Sequence, residues 1–141
     1  MYQKLIIVGN VGRDPEMRYT PDGTPVTNFS VATNRRWNNP DGSQSEETIW
    51  FRITAWRKLA ETCNQYLSKG RQVLVEGRLV PDKETGGPRV WTRNDGRPSA
   101  SFEVTADTVR FIGGRGDASD TSLASQEGGP PPDMAEDEIP F

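Results

Sequence analysis

Residues 47–56 read Glu47-Thr48-Ile49-Trp50-Phe51-Arg52-Ile53-Thr54-Ala55-Trp56. β-Branched and aromatic residues dominate, and Gly and Pro are absent, so the stretch predicts a strand. Side chains alternate across a strand, which sets Phe51, Ile53 and Ala55 on one face and Trp50, Arg52, Thr54 and Trp56 on the other. The first set is an ordinary core face. The second puts two Trp around an Arg on the side that meets water, an arrangement that core packing does not require.

Working upstream, residues 5–8 (Leu-Ile-Ile-Val) are bounded by Gly9, Gly12 and Pro15 and predict a strand buried on both faces. Residues 19–25 carry Pro and Asp-Gly turn chemistry. A second strand is expected over 26–37, with Thr27, Phe29, Val31 and Thr33 on one face. Strict alternation sets Trp37 on that same core face, and a bulge or bend near Arg35 would turn it to the wet side. Asn38-Asn39-Pro40-Asp41-Gly42 is the turn that precedes residues 47–56.

Downstream, residues 58–69 form the one good helix, with Leu59, Cys63, Tyr66 and Leu67 at helical spacing and Gly70 at the C-terminal cap position. Cys63 on that stripe reads as a small buried residue. A fourth strand is expected over 71–80 with Val73, Val75 and Leu79 inward, followed by a polar hairpin tip over 81–88. A fifth strand region covers 90–93 and, after the Asn94-Asp95-Gly96 turn, 101–112. The class is therefore all-β. Three strands, one short helix and further strands fit the five-stranded Greek-key barrel of the OB-fold, which commonly binds oligonucleotides.

Composition divides the chain unevenly. Its 141 residues suit one domain with a tail. Residues 1–112 carry 16 Lys/Arg against 13 Asp/Glu, whereas 113–141 carry one Arg against seven acids. Gly and Pro account for 16 of the first 112 residues and 9 of the last 29, and the latter hold no Trp or Tyr. Such a segment buries too little apolar surface to offset its ordering entropy, which predicts a disordered acidic tail. An acidic tail on a mildly basic body accompanies nucleic-acid binders, although a solubilising tail has the same composition.

Several classes of chemistry are excluded or disfavoured. With no His, histidine-based catalysis is absent and a Cys/His zinc site is not expected. The single Cys63 rules out an internal disulfide. No apolar run approaches bilayer length, and the first residues do not resemble a secretory signal. Neither a Gly-x-x-x-x-Gly-Lys phosphate loop nor a Gly-x-Ser-x-Gly elbow occurs. Gly9-Asn10-Val11-Gly12 superficially matches the Gly-x-x-Gly loop of KH domains but follows a strand, so turn glycines are the better reading. Asn28-Phe29-Ser30 lies within an expected strand, Arg115-Gly116-Asp117 is a three-residue coincidence, and the scattered acids suggest no two-metal site. No catalytic residue, metal or cofactor is expected.

What remains is aromatic residues interleaved with cations. Trp37 follows Arg35-Arg36; Trp50 and Trp56 flank Arg52, with Arg57 and Lys58 immediately after; Trp91 lies between Arg89 and Arg93. Bases stack on aromatic faces while cations follow phosphates, so this is the composition of a single-strand binding surface.

At these residues the sequence closely resembles the bacterial single-stranded DNA-binding protein family. The matching blocks are Leu5-Ile-Ile-Val-Gly-Asn-Val-Gly-Arg-Asp-Pro-Glu-Met-Arg-Tyr19, Trp50-Phe-Arg-Ile53, Lys58-Leu-Ala-Glu61, Tyr66-Leu-Ser-Lys-Gly70 and Val75-Glu-Gly-Arg-Leu79, together with the acidic terminus Asp137-Glu-Ile-Pro-Phe141. The resemblance implies an OB-fold protomer over 1–112, a linker over 113–133 and a partner-binding tip over 134–141. It implies a non-enzymatic, cytoplasmic and nucleoid-associated homotetramer that coats single-stranded DNA in replication, recombination and repair. Its stacking aromatics would fall on Trp37, Trp50, Trp56 and Trp91, and its backbone-contacting cations on Arg18, Arg52, Lys58, Lys69 and Arg89. The tip residues Asp137, Glu138, Ile139, Pro140 and Phe141 would dock on helicases, nucleases and polymerase subunits. Two departures stand out. Trp56 occupies a position where the family often has Phe, and residues 80–88 look like an insertion in the hairpin before Trp91.

Two other readings compete. An RNA-binding OB-fold module would prefer RNA to DNA of equal length. A structural β oligomer would bury its Trp between subunits, where poly-deoxythymidine would not quench their fluorescence.

Overall fold

The computed structural model describes residues 1–112. The elements are β1 (Leu5–Val11), β2 (Glu16–Tyr19), β3 (Pro25–Asn38), β4 (Gln44–Trp56), α1 (Arg57–Tyr66), β5 (Gln72–Leu79), β6 (Arg89–Thr92) and β7 (Pro98–Phe111). Five of these strands close on themselves. β1 pairs antiparallel with β5, β5 with β7, β4 with β3, and β3 back with β1 through Asn10↔Ala32 and Val11↔Val31. The β4–β7 pairing, Phe51↔Phe102 to Thr54↔Thr105, is parallel. A parallel pair needs a crossover, and α1 with β5 provides it. The result is the OB-fold barrel. β2 extends the sheet beyond β3, and β6 folds back on β7 as a hairpin.

The core follows the expected alternation. Phe29 and Val31 of β3, Ile53 and Ala55 of β4, Val73 and Val75 of β5 and Val104 of β7 are all buried. Ala60, Cys63 and Leu67 bring α1 and its C-cap against the same cluster. Thr27, also buried, donates its hydroxyl to the Ala60 carbonyl at 2.7 Å and ties β3 to the helix. Burial pushes the Cys63 thiol up to about 12, so it stays neutral and serves as packing. Closure demands a close approach at Gly9, where an added Cβ would stand 2.2 Å from the Ala32 carbonyl oxygen.

The structure differs from the sequence reading at five places. β1 is buried on one face only, since Ile7 and Val11 point into the barrel while Ile6 and Val8 are exposed. A barrel wall has one inside, whatever the run of aliphatics along it. β2 is an additional strand; its four residues are too short and polar to announce themselves, and pairing with β3 holds them extended. The helix begins at Arg57 and stops at Tyr66, with Leu67 already extended (φ −84°, ψ 145°), so Gly70 (φ 87°) belongs to the turn that follows rather than to the cap. Leu79 is exposed rather than inward. It lies past Gly77, the last β5 residue that pairs with β1, so only β7 flanks the strand at Leu79 on the way to the 80–88 hairpin. Finally, β3 and β4 pair without interruption from Val26↔Trp56 to Asn38↔Gln44, so no bulge occurs near Arg35. The expected disordered tail and the tip lie outside the described residues.

Candidate nucleic-acid interface

All four Trp are exposed, between 38% and 54%, so none is a core residue. Register fixes how they are grouped, because directly paired residues point to the same side of a sheet. Trp50 pairs with Ala32, Arg52 with Ser30, Thr54 with Asn28 and Trp56 with Val26. The next strand continues two of these rows, with Glu16 opposite Asn28 and Arg18 opposite Val26. One outer face of β2–β3–β4 therefore carries Trp50, Arg52, Trp56 and Arg18. The Thr54 hydroxyl donates to Asn28 Oδ1 at 2.9 Å and stiffens the middle of that face.

At one end of this face lies a cleft of about 620 Å³, lined among others by Gly12, Arg13, Asp14, Asn28, Ser30, Trp50, Arg52, Trp91 and Arg93. Trp50 comes from β4 and Trp91 from β6, and the fold brings the two indoles to one cavity although 40 residues separate them. Arg13, Arg52 and Arg93 have no carboxylate within 4.0 Å among the described residues. Two aromatic surfaces with three such guanidiniums can accept a flat unsaturated ring and the anion attached to it. Arg13 was not among the sequence candidates. It follows Gly12 just past the end of β1, and only the β1–β3 closure carries it to the cleft, so no local pattern marks it.

The remaining candidates lie elsewhere. Trp56 and Arg18 share the outer face but do not line the cleft. Trp37 is paired with Ser45 on the opposite side of the β3–β4 ribbon, with the Arg35 guanidinium 5.2 Å from its ring centroid and Arg35 also 3.6 Å from Glu47. Its exposure comes from the length of the hairpin, which runs past the barrel. Arg89 lies two residues before Trp91 on the same face of β6 and sits 3.8 Å from Glu103. Lys58 is exposed in the first turn of α1. Lys69 is exposed beyond the helix, its backbone N–H donating to Asp14 Oδ1 at 2.9 Å. Residues 137–141 lie outside the described residues. Among the described residues no cluster of His, Cys, Asp and Glu could hold a metal ion, and no helix is long and apolar enough to cross a membrane.

The model of the single-strand binding protein family matches residues 2–112. The chain belongs to that family. Two curated relatives, each called single-stranded DNA-binding protein, from Neisseria meningitidis serogroup A and from Wolinella succinogenes, are 43% and 39% identical over 116 residues. That is 82% of this chain but 63% and 67% of theirs. The chain thus spans about two thirds of the length of the relatives it matches. In Chlorobaculum tepidum, a protein called single-stranded DNA-binding protein 1 is 39% identical over 86% of this chain and 72% of its own. Among solved structures, the Plasmodium falciparum SSB complex with ssDNA matches with a TM-score of 0.65 at 27% identity, covering 80% of this chain and 97% of that one. The small single-stranded DNA-binding protein from Streptomyces coelicolor matches at 0.64 and 26%, covering 78% and 94%. These family members are named for binding rather than for a reaction.

Proposed function

We propose that the chain binds single-stranded DNA without regard to sequence, by stacking unpaired bases on Trp50 and Trp91 while Arg13, Arg52 and Arg93 meet the phosphates. The meeting of two exposed indoles and three guanidiniums in one cleft carries this reading. A duplex offers no free base faces, whereas every unpaired base has one, so such a surface discriminates strandedness and not sequence. Trp56, Arg18 and, more remotely, Trp37, Lys58, Lys69 and Arg89 extend the path of the strand. Titration with poly-deoxythymidine tests the reading. Tryptophan emission falls as the polymer is added, and affinity declines steadily with added salt as counterion release weakens. Equal affinity for duplex, or unchanged emission at saturation, contradicts it.

Membership of the family extends the proposal to coating DNA in replication, recombination and repair by a nucleoid-associated oligomer. The exposed Ile6 and Val8 on β1, with Val90 and Phe102 near the other hairpin, support self-association into the expected homotetramer. The tip combines Asp137 and Glu138 with Ile139-Pro140-Phe141. An aromatic ring beside acidic side chains suits a partner pocket with an apolar slot and a cation, which a solubilising tail would not need. Removing Ile139, Pro140 and Phe141 is expected to leave DNA affinity intact and to abolish capture of a purified helicase, nuclease or polymerase subunit. Undiminished capture contradicts the recruitment role.

A further inference from the structure

The end of β1 sits directly beneath the Trp50 ring. A Cβ built on Gly12 would lie 2.4 Å from Trp50 Cζ3, 2.9 Å from Cη2 and 3.0 Å from Ser30 Oγ. No side chain tolerates the first of these distances, so the benzo edge of the indole occupies space that any other residue would fill. The backbone there has no freedom to retreat. Gly12 N–H donates to the Ser30 carbonyl at 2.9 Å, Val11 N–H to the Arg71 carbonyl at 2.9 Å, and Gly70 N–H to the Val11 carbonyl at 2.7 Å. Three hydrogen bonds to two other segments therefore hold the floor, and the half-exposed ring is the part that moves.

We infer that Gly12 is a positioning residue for DNA binding: its missing side chain is the seat that fixes the tilt of the Trp50 indole toward the cleft. This rests on the reading of Trp50 as a stacking platform and deepens it. An indole on this seat has its benzo edge set against Gly12 while the ring lines the cleft. A base arriving at a pre-oriented ring does not have to immobilise it, which is where preorganised sites gain affinity. Lifting the benzo edge by one methyl group tips the ring and leaves the barrel closure untouched, because the Val11↔Val31 and Asn10↔Ala32 pairs precede it.

The test is a double-mutant cycle on the full chain, with binding read as the anisotropy of a labelled oligo-deoxythymidine. Gly12→Ala lowers affinity about fivefold or more, as for a weakened base stack, with the thermal midpoint held. In the Trp50→Ala background the same change has less than about a twofold effect, since no ring remains to be displaced. Trp50→Phe supplies a rescue, because phenylalanine lacks the benzo edge; adding Gly12→Ala to it is expected to cost nothing further. Three results overturn the inference: Gly12→Ala binding as wild type, Gly12→Ala weakening binding equally with and without Trp50, or no rescue by Trp50→Phe. Unchanged affinity in Trp50→Ala alone would instead remove the stacking reading itself. If Gly12→Ala unfolds while Trp50→Phe with Gly12→Ala folds and binds as Trp50→Phe does, the clash with the indole edge is upheld; if both unfold, Gly12 serves the fold and the inference is overturned.

Discussion

Arg57 has a left-handed backbone (φ 58°) as the first residue of α1, the one non-glycine with positive φ among the described residues. An L-residue there costs about 1–2 kcal/mol through the crowding of Cβ against the carbonyl. It also follows Trp56, whose side chain makes no capping hydrogen bond. Arg57→Gly is expected to stabilise the fold by about 0.5–1 kcal/mol, after the larger chain entropy of glycine in the unfolded state is subtracted. Because the substitution also removes an exposed cation beside Trp56, it should weaken single-stranded DNA binding and flatten its salt dependence. Denaturant unfolding and a salt-dependent titration of the same variant read both effects. A less stable variant would mean that the Arg57 side chain supports the fold.

At the scale of the element, β4 is where sequence and structure agree most fully. Period-two alternation over residues 47–56 assigns every side chain to a face without knowledge of any partner strand, and the buried Ile53 and Ala55 and exposed Trp50, Arg52 and Trp56 follow it. The strand therefore predicts two different phenotypes from adjacent substitutions. Ile53→Ala should lose about 2–5 kcal/mol of stability by opening a cavity, with DNA affinity retained in the folded fraction. Trp56→Ala should leave the unfolding midpoint nearly unchanged and lower DNA affinity. Reversed effects would mean that the faces are exchanged. Elsewhere alternation was insufficient. It assigned Leu79 to the core because it takes no account of where a strand leaves the barrel. For Trp37 it gave the correct side of the ribbon, yet exposure there depends on how far the hairpin outruns the core. The Leu5-Ile6-Ile7-Val8 run implies two buried faces because pattern alone cannot distinguish a second core from an exposed apolar face.

For the molecule as a whole, the barrel was legible in the order of its strands and in the helix that interrupts them, since a crossover after β4 leaves few closed arrangements. The cleft was legible only in its parts. Trp50 and Trp91 each stood out beside cations, but their convergence depends on the β6–β7 hairpin folding over the β4 face, and Arg13 reaches them through the β1–β3 closure. Long-range pairings of this kind have no local signature. The proposed function turns on unpaired bases stacking in the Trp50–Trp91 cleft. The most direct measurement is the affinity of Trp50→Ala, Trp91→Ala and the double variant for a labelled oligo-deoxythymidine, at one salt concentration and with folding checked by circular dichroism. Each single substitution is predicted to cost about 1–3 kcal/mol, the usual loss per stacked base, and the double variant to cost more than either. Folded variants that bind as tightly as the wild type would contradict the account.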